Sequence, residues 1–281
     1  NIWTVNADGS DLKQLLSVAD FTHSTNPAFS RDGSKIVFFG RTSLINNDQQ
    51  GIWVTNADGT NRKLIYDFNA LDNSIRYIDQ LDWSPDGSQF IFRAEDKRTG
   101  IEGFWTMNSD GTNLKKIMDT LSSYSGDLMN PKWSPDGSRI VFTARESNIG
   151  IWGIYVANID GTGVTRIADA NEAESITFKT YSEPSWSPDG SQIVFKRGGK
   201  RLNLSNEVNI WIMNADGTGL LSLTRNEITS VAEVSSNHVW SPDGASIVFL
   251  EGIQGAPFNT RTIQSINIDG TGKKTLLGET T

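Results

Sequence analysis

The sequence predicts an all-β protein, a propeller of four-stranded antiparallel blades, on three observations. Two β-hairpin motifs alternate along the chain, each recurs at a spacing near fifty residues, and no segment sustains a helical period. The first motif reads LDWSPDGSQFIFR, PKWSPDGSRIVFTAR, SWSPDGSQIVFKR and HVWSPDGASIVFL, with a looser AFSRDGSKIVFF near the start. The second reads NIWTVNADGS, GIWVTNADGT, GFWTMNSDGT, GIYVANIDGT, NIWIMNADGT and a worn TIQSINIDGT. The turn aspartates are Asp32, Asp86, Asp136, Asp189 and Asp243 in the first series, and Asp8, Asp58, Asp110, Asp160, Asp216 and Asp269 in the second. Their steps run from 50 residues (Asp86 to Asp136) to 56 (Asp160 to Asp216), the length of a four-stranded unit.

Taken in order, the chain opens on strands C and D of a blade, Ile2–Asn6 and Asp11–Leu16, a half blade over 1–16. Five full blades follow over 26–67, 80–119, 130–169, 183–225 and 237–278. In the third, strand A is Pro131–Ser134, B is Arg139–Arg145, C is Ile154–Asn158 and D is Val164–Ala168. Between A and B, Pro presets the first turn position, Asp suits the second, and Gly takes the left-handed conformation that closes the hairpin. N-A-D-G-T turns C into D in the same way, with Asn accepting local backbone hydrogen bonds. The I-V-F runs after the first turn are β-branched and aromatic, as buried strands require. Trp83, Trp133, Trp186 and Trp240 share one repeat position, where Phe29 stands in the first copy. Trp3, Trp53, Trp105 and Trp211 share another, with Tyr155 and Gln264 as departures. Such repeat-locked aromatics read as blade-to-blade packing, and Trp152, outside the pattern, reads as a loop residue. The best helical candidate, Asp169–Ser175, is too short for more than a turn.

Composition narrows the function classes. The 281 residues are 37% hydrophobic, enough for a large core, and no run approaches the about 18 apolar residues of a membrane span. A net charge of −8 argues against a nucleic-acid partner, which needs a basic face. There is no cysteine, which removes disulfides and thiolate chemistry and suits an oxidising compartment. Two histidines, His23 and His238, and no G-x-S-x-G elbow leave nucleophilic catalysis and a histidine-bound metal without candidates. The D-G-T turns lack the later carboxylate of a calcium loop and read as turn geometry. Asn203-Leu204-Ser205 matches a glycosylation sequon, which is uninformative if the source is bacterial.

W-S-P-D-G-S-x-I-V-F followed by I-W-x-x-N-A-D-G-T resembles the repeat of TolB-type β-propellers, also found in the propellers of prolyl-oligopeptidase-like peptidases. The resemblance covers essentially the whole chain and implies a TolB-like ring, six blades when intact, of which five full blades plus a half blade are spelled out here. It leads to the expectation that an S-P-D-G hairpin lies upstream of Asn1. It implies a non-catalytic scaffold that engages a protein or peptide partner, in the periplasm or secreted. The alternatives are the propeller of a larger peptidase and a carbohydrate-binding propeller.

The repeat also separates scaffold from site. Both turn types point to one face; the B–C and D–A connections emerge on the other, long and different in each blade, where binding usually resides. The D–A connections include Asp67–Asp82, Thr120–Asn130 and Ala168–Glu183, and the B–C connections Arg41–Gln50, Lys196–Glu207 and Glu251–Arg261. Three positions before the strand-A aromatic stand Asn26, Gln80, Asn130, Glu183 and Asn237. Strand A is innermost in the related propellers, so these would form a polar ring at the channel mouth. The ring would bind a ligand, a peptide or a cation (Ca²⁺ by its oxygen chemistry), or its side chains would cap loop backbone. Arg41, Arg93, Arg145, Lys196 and Arg197, at or just past the ends of B strands, would add a basic rim suited to a carboxylate or acidic peptide. Tyr77, Tyr124, Tyr181 and Trp152 fall in the same loops.

Overall fold

The computed structural model describes residues 2–6, 10–17, 19–42, 49–70, 74–119, 124–146, 152–168, 176–201, 207–224, 234–252 and 261–277, and among them every regular element is a β-strand. A two-stranded unit, β1 (Ile2–Thr4) and β2 (Lys13–Leu16), comes first. Blade 1 is β3 (Phe21–Phe29), β4 (Lys35–Thr42), β5 (Gln50–Asn56) and β6 (Lys63–Asp67). Blade 2 is β7 (Ile75–Trp83), β8 (Gln89–Asp96), β9 (Glu102–Asn108) and β10 (Lys115–Asp119). Blade 3 is β11 (Tyr124–Trp133), β12 (Arg139–Glu146), β13 (Trp152–Asn158) and β14 (Thr165–Ala168). Blade 4 is β15 (Ile176–Trp186), β16 (Gln192–Arg201), β17 (Glu207–Asn214) and β18 (Leu221–Ser222). Blade 5 is β19 (Val234–Trp240), β20 (Ser246–Gly252), β21 (Arg261–Asn267) and β22 (Lys274–Leu277). Every blade is an antiparallel meander with its strands in chain order.

The turns explain why the meander forms. In blade 3 the Ser134 hydroxyl donates to Asp136 Oδ1 at 2.6 Å, and the Ser138 N–H donates to the same oxygen at 3.0 Å. The Gly137 N–H closes the turn on Ser134 C=O at 2.9 Å, with Gly137 left-handed at φ 75°. The same Ser–Asp bond recurs at Asp32, Asp86, Asp189 and Asp243. These bonds hold the turn carboxyls below the usual range, the Ser hydroxyl first among the causes, and Asp32, Asp136 and Asp189 fall to about 2. In the C–D turns the sequence reading needs correcting. The Asn158 side chain does not accept from backbone; its amide donates to Thr162 Oγ1 at 3.0 Å, and that hydroxyl donates to Asp160 Oδ1 at 2.6 Å.

Apolar faces meet between consecutive units rather than in one central core. Val37 and Ile52 of blade 1 pack with Trp83, Phe90 and Trp105 of blade 2. Ile91 and Phe104 of blade 2 pack with Phe142 and Tyr155 of blade 3, Val141 and Ile154 of blade 3 with Trp186 and Phe195 of blade 4, and Val194 and Ile210 of blade 4 with Phe249 of blade 5. Ile2 and Leu16 pack with Phe38 and Trp53 of blade 1. Most of the repeat-locked aromatics therefore pack blade on blade, Trp3 and Phe29 staying exposed, and some also bond there. Trp83 Nε1–H donates to Ala28 C=O at 2.9 Å, and Trp240 Nε1–H to Ser185 C=O at 3.2 Å. At Gly111, Gly161 and Gly217 the C–D turn glycine lies tight against the preceding blade. A Cβ on Gly161 would stand 2.0 Å from Ile117 C=O of the preceding blade, and one on Gly217 would stand 2.2 Å from Ile167 C=O.

Two boundaries move. The A strands begin well before the short segments read from sequence, so much of the expected D–A loops is strand: β7 starts at Ile75, β11 at Tyr124 and β15 at Ile176. Trp152 is not a loop residue; it opens β13, paired with Arg145. The Asp169–Ser175 segment lies outside the described residues.

Candidate functional site

The extended A strands are interrupted at one position each, and it is the position of the polar ring. Asn26, Gln80, Asn130 and Glu183 have φ of 53°, 59°, 56° and 55°. The ladder to strand B slips there, between Thr25 and Ala28, Asp79 and Asp82, Met129 and Lys132, and Ser182 and Ser185. Each is a bulge that spends a left-handed residue without using glycine, and such strain gathers where surrounding structure imposes it. Here neighbouring blades hold it at Gln80, Asn130 and Glu183. Gln80 Oε1 accepts the Asn130 N–H at 2.6 Å, and Asn130 Oδ1 accepts the Glu183 N–H at 3.2 Å. The side chains thus hand the bulge from blade 2 to blade 3 to blade 4. Their amide NH₂ groups donate to none of the described residues. The Asn237 side chain lies outside the described residues, while its backbone belongs to β19.

From Glu183 the charge continues into the sheet. Lys196 Nζ lies 3.3 Å from Glu183 Oε1. His238 of blade 5 is buried next to this pair; burial pushes its imidazole down to about 4, with the Glu183 carboxylate opposing, so it is neutral at pH 7.

The basic rim divides. Lys196 and Arg197 lie inside β16, which continues to Arg201, and not at its end as the sequence suggested. Arg197 is buried, its guanidinium 4.6 Å from the Trp211 ring and 5.8 Å from that of Tyr181. Tyr181 is therefore a packing partner and not a loop aromatic. Arg93 is held by Asp79 at 3.2 Å and by Glu102; burial raises the Asp79 pKa against the pull of Arg93. Arg41 is half-buried near the end of β4, and Arg145 is exposed on β12. Residues 43–48, 71–73, 120–123, 169–175, 202–206 and 253–260 of the long connections, and the side chains of Tyr77 and Tyr124, lie outside the described residues.

One residue of the opposite face escaped the sequence reading. Arg31 stands where the other A–B turns carry Pro, and its guanidinium donates to Pro188 C=O of blade 4 at 3.3 Å. Turns of blades 1 and 4 can meet this way only if the A–B turns crowd the axis, which places strand A innermost. The signal was present as the break from S-P-D-G to S-R-D-G.

The sequence profile of the TolB beta propeller domain matches residues 12–178. No curated protein matches the chain. Among solved structures, a putative TolB from Agrobacterium tumefaciens aligns with TM-score 0.69 at 19% identity, over 97% of this chain and 86% of that one. TolB from Acinetobacter baumannii aligns with TM-score 0.66 at 20% identity, over 95% of this chain and 57% of that one, so this chain spans little more than half its length. The beta-propeller domain of the trilobed protease from Pyrococcus furiosus aligns with TM-score 0.54 at 13% identity, over 92% of this chain and 72% of that domain. At these identities the structural likenesses speak for the fold. No helix among the described residues is long and apolar enough to cross a membrane.

Proposed function

Because the chain belongs to the TolB beta propeller family, we propose that it is a non-catalytic scaffold that binds a peptide segment of a protein partner at the channel mouth on the loop-bearing face. One observation carries this reading. The oxygens of Gln80 and Asn130 are committed to the next blade, and their NH₂ donors remain available on the innermost strands. Donors in that place, with Arg145 exposed nearby on β12, match the carbonyl and carboxylate oxygens of an extended acidic peptide. The absence of cysteine supports an extracytoplasmic setting.

The test uses substitutions that keep the acceptor and remove the donor. Gln80→Glu and Asn130→Asp still offer an oxygen to the neighbouring N–H but no NH₂. On an array of acidic dodecapeptides, the double variant is expected to lose at least about tenfold in affinity at an unchanged melting temperature. A lower melting temperature with peptide binding intact would make the ring purely structural. Binding to a glycan array in place of peptides would favour the carbohydrate reading. The P. furiosus domain supports a second reading, the propeller of a larger peptidase; there the same variants would change which peptides are cleaved by the full enzyme.

A further inference from the structure

The seams between full blades repeat one arrangement. The C-strand aromatic of a blade shares an apolar cluster with a D-strand isoleucine of the blade before it: Trp105 with Ile65, Tyr155 with Ile117, and Trp211 with Ile167. An aliphatic residue just ahead of the D strand joins the same clusters, as Leu114, Val164 and Leu220. Blade 5 breaks both positions, with Gln264 in place of the aromatic and Lys273 in place of the aliphatic. Gln264 is buried, yet its amide turns to its own blade, donating to Thr262 Oγ1 at 2.7 Å and to Thr275 Oγ1 at 3.0 Å. Lys273 is drawn aside by Glu251, Nζ to Oε1 at 2.6 Å.

The seam between blades 4 and 5 is wider as a result. A Cβ on Gly111, Gly161 or Gly217 would stand 2.1, 2.0 or 2.2 Å from a carbonyl oxygen of the preceding blade. One on Gly270 would stand 3.6 Å from the Leu223 oxygen and 3.9 Å from that of Ser222. A cavity of about 440 Å³ fills the gap, lined by Leu221, Leu223, Thr224, Ile266, Asp269 and Lys273. Its volume lies within the range of small-molecule sites, roughly 300–1,000 Å³. Both of its walls belong to complete four-stranded blades.

We propose that this cavity binds a small, neutral, planar aromatic molecule carrying an N–H donor, with the size and polarity of indole. The repeat specifies the guest. Leu223 holds the position of Ile65, Ile117 and Ile167, which the other seams cover with an aromatic ring from within the chain. Leu221, Leu223 and Ile266 offer the apolar walls that such a ring needs, and the carbonyls of Ser222 and Leu223 along the widened seam offer acceptors for its N–H. Because Glu251 already neutralises Lys273 and Asp269 stands in the lining, a neutral ring fits better than an aromatic carboxylate. The site lies apart from the ring of Gln80 and Asn130 and does not depend on peptide binding there.

The experiment titrates indole into the 281-residue chain by calorimetry and follows the melting temperature over the same concentrations. The expected result is saturable binding to one site with a dose-dependent rise in melting temperature. Indene, of the same shape without the N–H, should bind at least about fivefold more weakly, the loss of one hydrogen bond. Gln264→Trp supplies the ring from within and should abolish indole binding while raising the melting temperature of the free protein. Leu221→Trp fills the cavity from the blade 4 side at a half-buried position and should abolish binding too, so the result stands even where Gln264→Trp does not fold. No saturable binding, equal affinity for indene, or binding retained in the folded variants overturns the proposal.

Discussion

The inner A–B turns and the outer C–D turns share an Asp-Gly pair, a left-handed glycine and, except at Ala245, a serine or threonine after it, yet they do different work. Gly137 in an A–B turn has φ 75°, and a Cβ there would meet only Pro85 Cδ at 3.8 Å. Gly161 in a C–D turn has φ 84°, and its Cβ would stand 2.0 Å from Ile117 C=O. The first glycine is needed by its own turn; the second is needed by its neighbour. A turn motif can thus encode local geometry in one place and the spacing between blades in another.

Substitution separates the two. Gly161→Ala combines the left-handed cost with backbone overlap across a seam and is expected to lose about 3 kcal/mol or more. Thermal unfolding should show that as the largest drop of the series. Gly137→Ala carries the conformational term alone, about 1 kcal/mol, measurable by urea unfolding. Equal losses in the two variants would erase the distinction. Asp136→Ala removes an acceptor of three turn bonds, at 2.6, 3.0 and 2.9 Å, on the exposed surface and should cost about 1 kcal/mol. It should leave dodecapeptide binding unchanged, because it sits on the other face.

The smallest effect per site is acid lability. The turn carboxyls titrate below the ordinary carboxyl range in the folded state, at about 2 for Asp136 and Asp189. Their contribution is therefore complete above the unfolded value and is lost as pH falls from about 4 toward 2. Melting temperature should be flat between pH 7 and 5 on this account and decline below pH 4, less steeply in Asp136→Asn. Solvent screening at these exposed turns keeps each share small.

The fold was legible because its information is local and repeated. Every blade announces two turns, and Pro, Asp and Gly each perform a stated steric or hydrogen-bonding task. Strand A escaped accurate reading because its first half carries no punctuation: Tyr124–Met129 resembles a loop until the neighbouring strand defines it. The ring positions were found by alignment, but their left-handed backbone was not. Nothing in Gln80 or Glu183 as residue types asks for positive φ; each bonds there to a neighbouring blade, Gln80 to an N–H of the one after and Glu183 to a carboxamide of the one before. Lys196 and Arg197 were misplaced for the same reason, since β16 outruns its motif by four residues, to Arg201.

Arg31 turns a ring of nearest neighbours into one with a cross-tie. Among the described residues, blades otherwise touch only the units before and after them, whereas the Arg31 guanidinium joins the A–B turn of blade 1 to Pro188 C=O of blade 4 at 3.3 Å. Two blades far apart in the chain thereby share a polar bond at the A–B end.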